Sequence, residues 1–177
     1  MATALLGALH FAARKHLDQK RKDGRTPYIN HPIAVADLLA RIGKVEDILV
    51  LQAALLHDTV EDTDTTPEEL EGIFGREVRD MVMEVTDDMS LPKKERRERQ
   101  LREAPHLSPG ARQIRIADKI CNFWDITPHL PLGWPLHVKR GYLQWGEQVV
   151  DACRGYNPAL EAHFDQVLRE RRAALEL

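Results

Sequence analysis

Apolar residues recur at intervals of three and four along most of the chain, which is the spacing of an amphipathic helix. Alternating stretches of β-branched residues, which indicate strands, are almost absent. The pattern therefore predicts an all-α protein, a bundle of about eight to ten helices. Helices are expected at about residues 5–17, 32–42, 46–61, 66–75, 76–88, 92–104, 108–126, 134–154 and 158–175.

The first two helices each show one apolar face. In the first, the residues expected to face inward are Leu5, Leu6, Leu9, Ala12, Ala13 and Leu17. In the second, which Pro32 begins and Gly43 ends, they are Ile33, Val35, Ala36, Leu38, Leu39 and Ile42. The polar loop between them and the segment "TPHLPLGWP", with its three prolines, interrupt the helical pattern.

Two later helices carry local start signals. Thr66 is a predicted N-cap, with Pro67 at the first helical position and Glu69 three residues after the cap, which is the pattern of a capping box. Ser108 followed by Pro109 predicts the start of a second capped helix. These boundaries depend on adjacent residues alone.

The third predicted helix, residues 46–61, is apolar on nearly every side up to Leu56, so we expect it to be buried. Its last turns then bring together one imidazole and three carboxylates. His57 and Glu61 are four residues apart, as are Asp58 and Asp62, so each pair shares a helix face. Charged groups at the end of a buried helix need a charged partner or a metal ion.

Composition limits the possible functions. The chain has 177 residues, enough for one domain over residues 1–177, and a formal charge of −3, which does not indicate a nucleic-acid or membrane partner. Cys121 and Cys153 have no metal-binding spacing, and we find no signal peptide or apolar run of the ~20 residues that a membrane span needs. We therefore expect a cytoplasmic protein with reduced thiols. Oligomeric state is left open.

His31, His57, Asp58 and Asp118 are the candidate ligands of one metal ion. Imidazole and carboxylate without thiolate suit Mn, Fe or Zn, and the ligand set alone does not choose among them. A cluster of acids that caps neighbouring helices is the structural alternative. The remaining histidines are isolated and are expected to be surface or ordinary core residues: His10, His16, His106, His129, His137 and His163.

Four segments together resemble the HD-domain hydrolases of the RelA/SpoT alarmone family: "TPYINHP", "AALLHDTVEDT", "EVTDD" and "ADKICN". The resemblance is strongest to the small stand-alone members and extends from "HFAARKH" to "WGEQVV". It implies an all-α HD domain with one Mn²⁺ ion held by His31, His57, Asp58 and Asp118. It also implies hydrolysis of the 3′-pyrophosphate of ppGpp or pppGpp, with GDP and pyrophosphate formed from ppGpp.

The resemblance identifies Glu61 and Asp62 as the catalytic acids. A bound cation can polarise a phosphoryl oxygen and lower the pKa of water, and carboxylates one turn away can then move protons. We assign the proton of the attacking water to Glu61 and make Asp62 its partner. Alternatively, Asp62 caps a turn in "DTDTT".

Five residues are candidate substrate contacts. Arg21 and Lys22 match a basic pair of the family, although a solvated loop is the alternative for them. Asn122 lies one turn after Asp118 and can bond a ribose or a phosphate. Tyr142 matches a family aromatic, with a core position as its alternative, and Lys93 is expected to contact pyrophosphate.

The region around Lys93 agrees with the family pattern in part and departs from it at two positions. The rest of "PKKERRERQLR" mixes charges at helical spacing and is expected to be a solvated face. Asp87 and Asp88 are expected to orient ligands or a lysine. Met89 and Ser90 occupy positions where small hydrolases often carry lysine and threonine. No synthetase region follows in this sequence, so we expect degradation of the alarmone but not its synthesis.

Other functions remain open from the sequence. The family resemblance also implies an NADPH 2′-phosphatase that uses the same site. A non-catalytic nucleotide-sensing module is a third possibility, although Glu61, Asp62 and all four candidate ligands are present. A generic HD nucleotidase acting on deoxynucleotides would not require the basic loop or "TPYINHP".

Overall fold

The computed structural model describes residues 2–127, 129 and 133–176, and this part of the chain contains helices but no strand. The all-α prediction is confirmed. The helices are α1 (Ala2–Lys15), α2 (Asn30–Arg41), α3 (Ile48–Leu56), α4 (Thr59–Asp62), α5 (Pro67–Phe74), α6 (Arg76–Val85), α7 (Lys93–Glu103), α8 (Pro109–Trp124), α9 (Leu136–Cys153) and α10 (Pro158–Ala174). A 3-10 turn, Ala104–His106, separates α7 from α8. Residues 128 and 130–132 of "TPHLPLGWP" lie outside the described residues.

Helices α3 and α8 form the centre of the packing. Helix α3 contacts α1, α2, α6 and α8, and α8 contacts α2, α6, α9 and α10 as well. Every residue from 50 to 56 of α3 is buried, as the sequence predicted, and so is every residue from 114 to 121 of α8. Because α8 carries Arg115, Asp118 and Lys119 within that buried stretch, the central packing places three charged groups inside the protein.

The third predicted helix is not continuous. Helix α3 ends at Leu56, His57 and Asp58 lie in a turn, and α4 is one further helical turn. The hydroxyl of Thr59 donates to the Leu56 carbonyl (2.7 Å), so it satisfies an acceptor that the interrupted helix leaves open. The prediction of one rod over 46–61 is therefore wrong, and the His-Asp pair lies at the break.

The inward faces of α1 and α2 also differ from the prediction. Leu6 and Leu17 are 63% and 74% exposed, whereas Ala8 and Ala12 are fully buried. Small residues allow α1 to approach α3 closely, and Leu17 lies beyond the last helical residue. On α2, Ile33 and Ile42 are among the exposed hydrophobic residues: Ile33 38%, Ile42 36%.

The predicted helix starts are confirmed. The Thr66 side chain accepts a bond from the Glu69 N–H (3.2 Å), and the Ser108 side chain accepts one from Ala111 (3.3 Å). The Glu69 carboxylate bonds Lys15 of α1 (3.0 Å), so it joins two helices. Among the described helices, none combines the length and the apolar character required to cross a membrane.

Candidate active site

A cavity of about 400 Å³ opens between the loop before α2, the break after α3, and helices α4, α7, α8 and α9. The four predicted metal ligands, the two predicted catalytic acids and the five predicted substrate contacts all line it. Residues from widely separated parts of the sequence therefore meet at one place. Their individual roles remain predictions.

Two histidines and two aspartates form a compact group, called here the histidine–aspartate centre: His31, His57, Asp58 and Asp118. Asp118 Oδ1 lies 3.1 Å from His31 Nε2 and 3.8 Å from His57 Nε2. Donor atoms of these three residues all lie within 4.8 Å of one another. Asp58 Oδ2 lies 3.2 Å from His57 Nε2 and 3.5 Å from His31 Nε2. Both carboxylates thus approach both imidazoles.

The break after α3 fixes the orientation of His57. Its Nδ1 lies 2.8 Å from the Ala54 carbonyl oxygen, which can only accept, so Nδ1 carries the proton of this bond. Its Nε2 is buried and makes no hydrogen bond to any described residue. A histidine whose Nδ1 is bonded to a carbonyl oxygen and whose Nε2 makes no hydrogen bond has the arrangement of a metal ligand.

The pKa of His57 reports the local charge. Burial would lower it, but the negative charges of Asp58 and Asp118 raise the pKa to about 10. By contrast, burial lowers the pKa of His31. The carboxylates therefore attract a positive charge to this point, and a divalent cation would supply that charge and displace the proton. The donors, two nitrogens and two carboxylates, fit such a cation.

Glu61 and Asp62 lie beside this centre on α4. Burial raises the pKa of Glu61 to about 7, although its Oε2 accepts a bond from the Asp87 N–H (2.8 Å). Burial and the charge of Asp58 also raise the pKa of Asp62. Thr66, not Asp62, caps the next helix. With a pKa of about 7, Glu61 can exist in either protonation state near neutral pH, as proton transfer requires.

Tyr28 supports the centre, a role that was not predicted from the sequence. Its hydroxyl donates to Asp58 Oδ2 (2.8 Å), and its ring lies 5.9 Å from that of His31. The spacing of three residues between Tyr28 and His31, one helical turn, was an available signal. His16, expected to be an ordinary residue, is buried against Tyr28 with ring centroids 5.0 Å apart.

Arg21 and Asn122 are hydrogen-bonded to each other. Arg21 Nη2 donates to Asp125 Oδ2 (2.6 Å) and to Asn122 Oδ1 (3.1 Å). Asn122 Nδ2 in turn donates to Asp118 Oδ1 (2.5 Å). This chain of bonds orients Asp118, and substrate contact by either residue remains a prediction.

Three aromatic rings, called here the aromatic wall, line another part of the cavity: Trp134, Tyr142 and Trp145. The Tyr142 centroid lies 5.6 Å from that of Trp134 and 5.5 Å from that of Trp145. Lys22 Nζ lies 5.2 Å from the Trp134 centroid and 5.4 Å from that of Tyr142, and Lys93 Nζ lies 5.3 Å from Trp134. Cations and rings at these distances attract one another. Tyr142 is 7% exposed and still reaches the cavity.

Helix α7 contributes more than the sequence predicted. Lys93, Arg96, Arg97 and Gln100 follow the i, i+3, i+4, i+7 spacing of one helix face, and all four line the cavity. The Arg97 guanidinium lies 4.9 Å from the Trp145 centroid. The expectation that most of this helix is a solvated face therefore misses three cavity residues. Their common spacing was the signal.

The two acids after α6 have different positions. Asp87 lines the cavity, and its carboxylate accepts from Gln100 Nε2 (2.7 and 2.8 Å). Asp88 is exposed and accepts from the Ser90 backbone N–H (3.0 Å) and hydroxyl (2.6 Å). Asp87 therefore lies at the site and its supporting role stays a prediction, whereas the same role expected for Asp88 is wrong.

The lining of the cavity is more basic than the whole chain. The chain has a formal charge of −3. Eight basic and five acidic side chains line the cavity, an excess of three positive charges. The basic ones are Lys20, Arg21, Lys22, Lys93, Arg96, Arg97, Arg115 and Lys119. Such a cavity selects a ligand with several negative charges.

Comparisons with known proteins identify the family of this chain. The HD-domain family model matches residues 8–127. Mouse and human proteins named guanosine-3′,5′-bis(diphosphate) 3′-pyrophosphohydrolase MESH1 are each 52% identical over 171 residues, which is 96% of this chain and 96% of theirs. A solved structure described as a metazoan orthologue of SpoT that hydrolyses ppGpp has a TM-score of 0.91 and 43% identity, with 95% of both chains covered. The chain therefore belongs to the HD-domain family and, within it, to the small alarmone hydrolases similar to the metazoan SpoT homologue.

Proposed function

We propose that this protein hydrolyses the 3′-pyrophosphate of ppGpp or pppGpp with Mn²⁺ in the histidine–aspartate centre. The observation that carries the proposal is the presence of this centre, two acids with raised pKa and the aromatic wall with its cations in a single cavity. Relatives named for this reaction, 52% identical over nearly their whole length, support it.

His31, His57, Asp58 and Asp118 would hold the metal ion. When bound, the cation supplies a Lewis acid for the phosphoryl oxygen and for the attacking water. The chain fixes its own donors in advance, because the Ala54 carbonyl orients His57, Tyr28 orients Asp58, and Asn122 orients Asp118. Such outer contacts keep the donors in place for the metal.

Proton transfer is assigned to Glu61 and Asp62. Glu61 accepts a proton from the attacking water as the new bond to phosphorus forms. Asp62, in its protonated form, donates to the ribose 3′ oxygen as the bond between that oxygen and the phosphorus breaks. The products are then pyrophosphate and a nucleotide with a free 3′ hydroxyl. The pKa of about 7 for Glu61 suits a base that must lose its proton again in each cycle.

The remaining lining fits the rest of the substrate. Aromatic faces stack on a purine, and cations beside them attract phosphates. Lys22, Lys93 and Arg97 lie against the aromatic wall without an ion pair to any described carboxylate within 4.0 Å. We therefore place the base and the 5′ phosphates at the aromatic wall, and the 3′-pyrophosphate at the histidine–aspartate centre.

The test compares kcat/KM for ppGpp, pppGpp and NADPH on the purified protein with Mn²⁺ and with chelator. We expect turnover of the guanosine alarmones that is lost with chelator and restored by Mn²⁺. A higher kcat/KM for NADPH would replace the proposal with the 2′-phosphatase function. Binding of ppGpp without turnover in the metal-loaded protein would replace it with a sensing module.

A further inference from the structure

Lys119 is one of the charged residues of the cavity to which no role has yet been assigned. It belongs to a stripe on α8 with the i, i+3, i+4, i+7 spacing, formed by Arg115, Asp118, Lys119 and Asn122, and every member of the stripe lines the cavity. Lys119 itself is 3% exposed. A lysine that is buried to this degree usually has a specific partner or a function.

The position of its ammonium group is defined by two contacts. Lys119 Nζ lies 3.1 Å from Asp118 Oδ2, while the other oxygen of Asp118 faces His31 Nε2 (3.1 Å). Nζ also lies 4.6 Å from the centroid of the Trp145 ring. One carboxylate thus connects Lys119 to the histidine–aspartate centre, and one indole connects it to the aromatic wall.

Close packing of α9 on α8 holds Lys119 in this place. A Cβ at Gly146 would lie 2.6 Å from Phe123 Cζ, so glycine is required for the observed approach of the two helices. The same Cβ position lies 3.8 Å from Lys119 Cδ, which shows that the aliphatic part of Lys119 packs at this contact. The stem is therefore fixed, and the ammonium group stands at the junction of the two parts of the cavity.

An ammonium group has three N–H donors. One donor is used by Asp118, and Lys119 Nζ has no second hydrogen-bond acceptor among the residues that the structure describes. The face of Trp145 attracts the charge but does not replace a hydrogen bond to oxygen. The remaining donors are thus available to an anion that enters the cavity.

We propose that Lys119 is a catalytic residue that binds a non-bridging oxygen of the phosphoryl group under attack. The inference rests on the proposed function. Negative charge gathers on that phosphoryl group as the water bonds to phosphorus and the ribose 3′ oxygen leaves, and a fixed cation stabilises it. The competing role is a counter-ion that acts on Asp118 alone.

The two roles differ in which ligand they affect. A phosphoryl contact predicts that K119M and K119Q weaken the binding of pyrophosphate, the product that keeps the attacked phosphorus, by at least ~10-fold. The same variants should keep their affinity for Mn²⁺ within about threefold, since the donor atoms of the centre are unchanged. K94M is the matched control, because Lys94 is an exposed lysine of α7 outside the cavity lining.

Pyrophosphate binding is measured by equilibrium dialysis at a fixed concentration of free Mn²⁺, and Mn²⁺ affinity by electron paramagnetic resonance titration. Circular dichroism first establishes which of the two variants is folded, and that variant is used. Unchanged pyrophosphate binding, or a loss that follows a parallel loss of Mn²⁺, would overturn the inference. Because neither readout requires turnover of ppGpp, a failure of the inference can be told apart from a failure of the proposed function.

Discussion

At the histidine–aspartate centre, Asp58 and Asp118 approach both imidazoles within 3.8 Å, whereas at the aromatic wall Lys22, Lys93 and Arg97 have no described carboxylate within 4.0 Å. In the first region, opposite charges are brought together and held by further bonds from Tyr28 and Asn122. In the second, like charges are gathered around rings. The first arrangement fits a cation, and the second leaves its charge for an anionic ligand.

Substitutions in the two regions should therefore have different effects on the kinetics. If the proposed function holds, groups at the histidine–aspartate centre act on the reacting phosphorus, so their removal should lower kcat. Groups at the aromatic wall would then act on parts of the substrate that do not react, so their removal should mainly raise KM.

The largest effect is expected for Asp58→Ala. This change removes the carboxylate that lies within 3.5 Å of both imidazoles, so bound manganese and all measurable turnover should be lost together. Metal analysis after dialysis, alongside a ppGpp assay, checks both. Asp64→Ala is the control, because the Asp64 side chain is 89% exposed and, among the residues that the structure describes, forms an ion pair with Lys15 alone. Full manganese occupancy in the Asp58 variant would remove Asp58 from the ligand set.

Glu61→Gln should lower kcat by ~10²-fold or more while manganese binding is preserved, because the change removes a proton acceptor and keeps the shape of the side chain. Steady-state kinetics and metal analysis of the same preparation provide the readouts. Glu68→Gln, an exposed change on α5, is the control. Unchanged turnover would make Glu61 a bystander.

The pH dependence of kcat follows from the raised pKa of Glu61. As a base, Glu61 must be deprotonated, so kcat should rise with pH to a maximum near or below the pKa of about 7, which a bound cation lowers. At higher pH kcat should fall again, because Asp62 must keep its proton in order to donate it. Below that pKa the decline approaches ~10-fold per pH unit. A pH profile of kcat measures it. If kcat of Glu61→Gln shows the same fall at low pH, another group causes that fall.

Lys93→Ala tests the aromatic wall. It should raise KM for ppGpp about tenfold with little change in kcat, because a charge-assisted contact to phosphate is lost away from the reacting atom. Added salt should raise KM of the wild type and have less influence in the variant. Lys94→Ala, which changes a lysine side chain that is 89% exposed, is the control. A fall in kcat with unchanged KM would place Lys93 with the reacting group.

The smallest effect is expected outside both regions. Ser108→Ala removes the N-cap of α8 and should cost about 1 kcal/mol of unfolding free energy, a fall in Tm of roughly 2–4 °C. Because α8 is held on several sides by other helices, kcat and manganese binding should not change. Thermal unfolding measures the loss of stability, and kinetics at 25 °C show whether kcat changes. A loss of manganese would show that this cap helps to position Asp118.

Local signals in the sequence predicted the fold well. Thr66 and Ser108 act on N–H groups three residues away, so their neighbours define them. The buried third helix was evident because no side of it is polar. The break after Leu56 was not, since Thr59 and the contact of Tyr28 with Asp58 determine it through contacts that no periodicity contains.

Site residues were predicted correctly where the residue type has few other uses, and they were missed where the residue type is common on any protein surface or in any helix. Histidines and aspartates beside a buried helix have few other uses, and all four predicted ligands meet. Arg96 and Arg97 resemble any solvated basic residue until the fold shows that their helix face lines the cavity. Lys119 lies between apolar residues of α8, and only the packing of α9 shows where its ammonium group ends.

The most direct test of the central claim follows the oxygen of the attacking water. Manganese-loaded protein is incubated with ppGpp in ¹⁸O-labelled water, and the products are examined by ³¹P nuclear magnetic resonance and mass spectrometry. The account predicts one ¹⁸O atom in pyrophosphate and none in GDP, with no reaction when a chelator is present. Label in orthophosphate, label in the nucleotide, or turnover that survives the chelator would contradict it.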